Sequence, residues 1–216
     1  MDKPEYCRNC KFVAKGYGYC PDTKPDHARV AFMFAAPTSE AITEQHGLGG
    51  KMGWYIFKNF IEPAGFKMNE CIVGHVLRCK LPFFKGRPQY PTGAMRHHAE
   101  AVCRKYDYQH GREGKLFSLG IGSWNPNIFV ITFAPSECHN VPAYYRQIQR
   151  DVQKAAMFAD KGFRPCVLFG SEAMTLFAPF THLNGGLKAW RGHFFESDRW
   201  DERLVTDTGK ITFLPA

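Results

Sequence analysis

The sequence predicts an α/β, three-layer αβα domain on a mostly parallel, four-stranded central sheet. Three observations carry the prediction. Four apolar runs of strand length, RVAFMFAAP (29–37), CIVGHVLRC (71–79), NIFVITFAPS (127–136) and PCVLFG (165–170), each lead into a turn or polar loop. Continuous apolar runs suit parallel strands buried on both faces. Stretches with helical spacing lie between them, and strands alternating with helices close into a parallel sheet. The 216 residues, 44% hydrophobic and 15% aromatic, suffice for one domain, 1–216, with a real core.

Each element has a local reason. The first run ends in a loop, TSEAITEQHGLGGKMG, placed where ligands bind in open α/β sheets, beyond the strand carboxyl ends. WYIFKNFIEPAGF carries apolar residues at Trp54, Ile56, Phe57, Phe60 and Ile61, a helical pattern that stops near Pro63-Ala64-Gly65. CIVGHVLRC is the second strand. A loop rich in Pro, Gly and Arg follows (LPFFKGRPQYPTG), then a helical stretch, AMRHHAEAVCRKYD. The third strand ends in a Pro-Ser turn, and AYYRQIQRDVQKAAMFADKG reads as a helix stopped by Gly162. After the fourth strand, SEAMTLFAPF begins a helix with Ser171 as its cap. NGGLKAWRGHFFE reads as a turn and hairpin arm, and RLVTDTGKITFLPA ends in another strand-like pattern. The loops at 37–53, 78–91 and 134–142 are thereby expected at one edge of the sheet.

Bulk properties narrow the function. The net charge is +8 and the pI about 9.1, which favours a polyanionic partner, nucleic acid above all. No apolar run has membrane-spanning length and the N-terminus has no signal pattern, so the expectation is a soluble protein of the cytoplasm or nucleoid, with no membrane partner. Eight cysteines without a signal pattern argue against a disulfide framework. Cys71, Cys138 and Cys166 sit in or beside apolar segments and read as buried thiols. Cys7 and Cys10, two residues apart, Cys79 at a strand exit and Cys103 in a helical stretch can meet at one point. Four thiolates suit zinc or an iron–sulfur cluster, and spacing alone leaves both open, along with free thiols.

The order of these features resembles the iron–sulfur uracil-DNA glycosylases, families four and five of that superfamily. FMFAAPTSE stands where the family ends its first strand in a Gly-acidic-Ala-Pro-Gly motif. Gly50-Lys51-Met52-Gly53 matches the Gly-rich turn before its next helix. Gly74-His75-Val76-Leu77-Arg78-Cys79-Lys80-Leu81-Pro82 resembles the string that ends its second strand. Arg164 to Ala173 resembles its Arg-Pro-strand-Leu-Gly-x-x-Ala element, and Arg191-Gly192 a later Arg-Gly. The His-Pro-Ser loop and its following acidic helix resemble Ala134-Pro135-Ser136 and the helix through Asp151.

The resemblance implies a uracil-DNA glycosylase-like fold, and a four-iron four-sulfur cluster on Cys7, Cys10, Cys79 and Cys103, with zinc as the alternative. The cluster would tie the N-terminal segment and the loop 79–103 into a DNA-facing wall. It implies a DNA partner, single-stranded or with a flipped base, alongside replication or repair proteins. The base pocket would be Ala35, Pro37, Thr38, Gly50 and Ala134. DNA contacts would come from Lys51, Arg78, Lys80, Pro135, Ser136, Lys188, Arg191 and Gly192, with Lys85, Arg87, Phe83, Phe84 and Tyr90 forming a basic and aromatic loop suited to stacking on unpaired bases.

The chain departs from the family in two ways. The Pro-Ser strand comes before the Leu-Gly-x-x-Ala strand, so either the element has moved or 104–160 contains an insertion and ITFLPA at 211–216 is the last strand. The catalytic positions also differ. Ala35 replaces the acidic residue, His75 the base-reading asparagine, and Ala134 (or Leu214) the histidine; GLGGKMG lacks the stacking aromatic. An alanine can neither orient water nor donate to a developing anion, a loss of about 3 kcal/mol per group. Glu40 and His75 are the expected catalytic substitutes, with Glu44, His46 and His139 behind them. The competing structural reading makes Glu40 a turn cap and His75 a satisfied strand-end histidine. Two functions follow: excision of uracil or another modified base by N-glycosidic hydrolysis, or a catalytically inactive glycosylase-fold module that binds DNA or scaffolds a partner.

Overall fold

The computed structural model describes residues 18–23, 25–75, 78–80, 83–84, 87–88, 126–170, 173, 190–197 and 211–213. Strand β1 (Val30–Phe34) leads to helices α1 (Ser39–Thr43) and α2 (Gly50–Ile56), and β2 (Cys71–His75) follows. The two-residue strands β3 (Phe83–Phe84) and β4 (Arg87–Pro88) pair antiparallel with each other. Then come β5 (Ile128–Thr132), α3 (Pro142–Asp160), β6 (Pro165–Phe169), β7 (Phe194–Ser197) and β8 (Ile211–Phe213).

The main sheet has the order β2-β1-β6-β5-β7-β8. The first four strands are mutually parallel, as their continuous apolar sequences predict. The expected hairpin arm joins this sheet and extends the expected four strands to six. Phe194–Ser197 pairs antiparallel with β5, and Ile211–Phe213 pairs antiparallel with β7. Phe194 is 2% exposed, and burying this ring against the sheet is what a free arm would forgo.

Both faces of the parallel strands are covered. Phe32, Val130 and Val167 are fully buried on one side, and Met33, Ile131 and Leu168 on the other. The first face packs on α2, its continuation and α3, through Ile56, Phe60, Ile148 and Val152. The helical stretches expected at 94–107 and 171–180 lie outside the described residues, apart from Ala173.

Local chemistry sets the helices. Thr38 caps α1, its hydroxyl oxygen accepting the Ala41 N–H at 3.1 Å. Helix α2 continues as a π turn (Phe57–Ile61) and a 3₁₀ turn (Glu62–Ala64), and stops at Gly65 with φ +86°, where the sequence placed the stop. Two glycines are forced. Gly50 has φ +75°, and a Cβ on Gly53 would lie 1.9 Å from the Leu48 carbonyl oxygen. Helix α3 has Pro142 in its first turn and buries Ile148, Asp151, Val152, Ala155 and Ala156, a stripe at i, i+3, i+4, i+7 and i+8.

Asp151 gives the fold a pH dependence. Its carboxylate accepts from the buried Thr132 hydroxyl at 2.7 Å and from Gln147 at 2.8 Å. Burial pushes its pKa up to about 6, against the opposing pull of those hydrogen bonds. The folded state thus holds this proton more tightly than the unfolded chain, whose value is about 3.9. Its contribution to stability is therefore greatest below about pH 4 and falls as pH rises through about 6. Asp151→Asn is expected to flatten unfolding free energy against pH in that window. Parallel wild-type and variant curves in urea melts would exclude the buried carboxyl as the cause.

Candidate functional site

The carboxyl ends of the four parallel strands surround a cleft of about 460 Å³. This is where α/β sheets place ligands. Strand register sets its floor, with Phe34 opposite His75 and Leu168 opposite Met33 one step behind. Phe169, the last residue of β6, stacks on Phe34 with centroids 4.5 Å apart and planes 8° from parallel. The glycine loop after α1 closes one wall with Leu48 and Gly53, and Ala134-Pro135-Ser136, leaving β5, closes the other.

The floor is hydrocarbon with one polar side chain. His75 is 3% exposed, and its Nδ1 has no hydrogen-bond partner. Burial first, and then the charge of Arg78, push its pKa down to about 3, so the ring is neutral at physiological pH. The rim is polar, formed by Ser39, Glu40, Lys80 and Ser136. Glu40 is exposed. Hydrogen bonds from its own backbone N–H and the Thr38 hydroxyl hold its carboxyl below the ordinary range, and Lys80 and Lys51 add to the effect. It is therefore a carboxylate at neutral pH. Thr38 does the capping that the sequence also allowed for Glu40.

The cleft brings together Ala35, Pro37, Thr38, Glu40, His75, Lys80, Ala134, Pro135 and Ser136, nine of the residues singled out in the sequence. Gly50 lies behind Glu40, where an added Cβ would come within 2.3 Å of the Glu40 Cβ. Lys51 is exposed on the first turn of α2. Of the two candidate Pro-Ser segments, 134–136 reaches the cleft, and 214–216 lies outside the described residues. The strand at 211–213 lies at the far antiparallel edge.

Two expected phosphate contacts have other partners. Arg78 is 5% exposed and pairs with Asp22, with Asp22 Oδ2 at 2.9 Å from one terminal nitrogen and 3.1 Å from Nε. It is a structural ion pair, not a surface cation. Arg191 pairs with Glu137 at 2.7 Å and lies 4.0 Å above the Phe133 ring, which stacks on Tyr144. The Gly192 N–H donates to the Ile131 carbonyl at 2.7 Å. Two of the reserve candidates make structural contacts. Glu44 accepts the Gly50 N–H, and His46 Nδ1 accepts the Leu48 N–H, both at 3.1 Å. His139 belongs to the 3₁₀ turn Pro135–Asn140. Lys188, Lys85 and Tyr90 lie outside the described residues.

Sequence reasoning missed three groups. Glu137 accepts the Ala134 N–H at 2.7 Å with the carboxylate that also holds Arg191, and so shapes the Pro-Ser wall. The second is the Phe34–Phe169 stack. The third is the strap Gly18–Thr23. Its Cys20 N–H donates to the Arg78 carbonyl at 2.8 Å, Thr23 N–H to Val73 O at 2.9 Å, and the Tyr19 carbonyl accepts from Gln45 at 2.8 Å. No local pattern marks any of them.

Of the four predicted metal ligands, Cys7, Cys10 and Cys103 lie outside the described residues. Cys79 is a partly exposed thiol beside Arg78. Among the described residues no three His, Cys, Asp or Glu side chains group as a metal site. The donor chemistry fits a thiolate-bound metal. The strap itself reaches the β2 exit, where Cys20 N–H meets the carbonyl of Arg78, the residue before Cys79.

No protein-family model matches the chain, and a search of curated proteins found no match. Among the described residues no helix is long and apolar enough to cross a membrane.

Proposed function

We propose that this chain is a DNA-binding protein of the uracil-DNA glycosylase superfamily that takes an extruded base into the strand-end cleft and hydrolyses its N-glycosidic bond. The observation that carries the reading is the convergence of Ala35–Glu40, His75, Lys80 and Ala134–Ser136 on that one cleft. These are the positions the family resemblance selects, drawn from three separate strand exits. The net charge of +8 supports a polyanionic partner.

The residues divide the work. A base leaves the stack to enter such a cleft. Its faces meet hydrocarbon and its edge meets the neutral His75 imidazole. Glu40, already ionised, accepts a proton from water as the water oxygen bonds to the sugar C1′, and the electron pair of the C1′–N bond leaves with the base. Lys51 and Lys80 hold phosphates near the rim and position the strand. Cys7, Cys10, Cys79 and Cys103 would hold the cluster, whose chemistry there is structural, fixing the N-terminal segment beside the DNA path.

A second reading, a non-catalytic DNA-binding or scaffolding module, is favoured by one observation. The wall positions Ala35 and Ala134 present methyl groups where the family places its acid and histidine. The excision reading and the DNA-binding form of the second both put a base in the cleft, so one experiment tests what they share. A duplex carrying a single mispaired 5-iodouracil is photo-crosslinked to the protein and the adducts are mapped. Adducts are expected at Phe34, Met52, His75 or Phe169. Adducts confined to the solvent face of α3, at Arg146, Arg150 or Met157, would reject both.

A further inference from the structure

Helix α2 and its π-turn continuation spend one face on the core. Gly53, Ile56 and Phe60, at i, i+3 and i+7, are buried. The opposite face carries Lys51, Trp54 and Lys58 at the same spacing, and all three are exposed. Trp54 is 63% exposed. The other aromatic side chains of this segment are used inside the fold. Tyr55 meets the Phe60 ring edge-on at 5.9 Å, Phe60 lies 5.0 Å from Tyr145, and Phe57 packs against the core. The Trp54 indole meets no ring and no cation among the described residues. It forgoes the burial that so large a ring normally supplies. Core packing therefore gives no reason for a tryptophan at this position.

The neighbourhood of the ring gives one. Met52 and Gly53, just before it in the chain, line the cleft. The first turn of the helix abuts the rim, where a Cβ on Gly50 would come within 2.3 Å of the Glu40 Cβ. The charge of Lys51 reaches the Glu40 carboxylate there. The two lysines of the exposed face differ. Lys58 is held by both carboxylate oxygens of Glu62, at 2.5 and 2.7 Å. Lys51, one turn before Trp54, makes no ion pair among the described residues. A cation one turn from an exposed indole fits a nucleic acid strand, with a phosphate on the ammonium and a base on the ring. The net charge of +8 favours the same partner.

Resting on the DNA-binding reading above, we propose that Trp54 and Lys51 form a platform beside the cleft that takes one unpaired base and its phosphate from a single strand of nucleic acid. The indole stacks on the face of the base. Every base offers such a face, so the contact adds affinity without reading sequence. The phosphate contact at Lys51 holds the strand in place and carries the salt dependence.

The test is binding of two strands of equal length and charge across a salt series. One is an oligothymidine; the other has the same backbone with abasic tetrahydrofuran residues throughout. Trp54→Ala is expected to weaken the oligothymidine complex about 5- to 150-fold, the worth of one stacked base, and to leave the abasic complex unchanged. Trp54→Phe should keep most of the affinity. Neither variant should move the slope of log affinity against log salt. Lys51→Met should lower that slope by about 0.7 on both strands, the share of one phosphate. Trp54→Ala should melt within about 2 °C of wild type, because the fold does not use the ring. Trp54→Ala binding oligothymidine as tightly as wild type would overturn the inference and leave DNA binding standing. An equal loss on both strands would do the same. So would a wild-type dimer that Trp54→Ala dissociates, since a second copy of the chain would then be what covers the ring. Wild-type protein that binds neither strand would overturn the inference and the DNA-binding reading together.

Discussion

Arg78→Met is expected to lower the melting temperature by on the order of 10 °C. The Arg78 and Asp22 side chains are only 5% and 3% exposed, and their hydrogen-bonded pair has little solvent to fall back on. Removing one partner strands the other charge in the interior, which costs about 3–5 kcal/mol; for a chain of this length each kcal/mol moves the midpoint by roughly 2–4 °C. Asp22→Leu should do similar damage. The double variant Asp22→Leu/Arg78→Met should recover most of the loss, because no lone charge remains. A calorimetric melt of the four proteins decides it, and single variants melting like wild type would mean that the pair is not buried. The same variants separate structure from DNA contact. Lys80→Met is expected to reduce the slope of log affinity against log salt by about 0.7–0.9, the share of one phosphate. Arg78→Met should leave that slope unchanged.

Glu40→Gln is expected to slow base release by about 10²–10⁴-fold, the range for loss of a positioned general base. The amide is nearly isosteric and keeps a hydrogen-bonding oxygen for the Thr38 hydroxyl, but it cannot take a proton from water. Helix α1 keeps its cap, because Thr38 and not Glu40 serves the Ala41 N–H. DNA affinity should hold or rise, since a negative charge leaves the rim. Release at the wild-type rate with Glu40→Gln would return this residue to the role of a turn ornament and leave the reaction without a base.

The parallel core was legible because its strands announce themselves. VAFMF and IFVI are unbroken apolar runs, and each leads to a proline that fixes the turn. The residues after those turns therefore fell at the same end of the sheet, and the cleft could be foreseen from Ala35–Glu40 and Ala134–Ser136. Helix α3 and its stop at Gly162, with φ +86°, followed from periodicity and one glycine. The antiparallel extension was legible only in part: HFFE and ITFLPA read as a hairpin arm and a strand, but nothing local shows that the arm joins the open edge of β5. The basic residues misled for a related reason. Arg78 looks like a phosphate ligand after a strand, yet its partner Asp22 is 56 positions away. Pairing at that range leaves no local trace. The glycine loop read as a ligand-binding turn and it does line the cleft, but the spacing of Gly53 against Leu48, which packing demands, could not be read from sequence.

The central claim is that the cleft breaks N-glycosidic bonds, and abasic sites are its direct trace. Labelled duplexes bearing alkylated, deaminated or unmodified bases are incubated with wild-type protein and then cleaved with alkali. The account predicts strand breaks at the modified positions, absent with Glu40→Gln. Intact strands across the whole panel, with salt-sensitive DNA binding preserved, would contradict it and leave an α/β protein that grips DNA without cutting the base away.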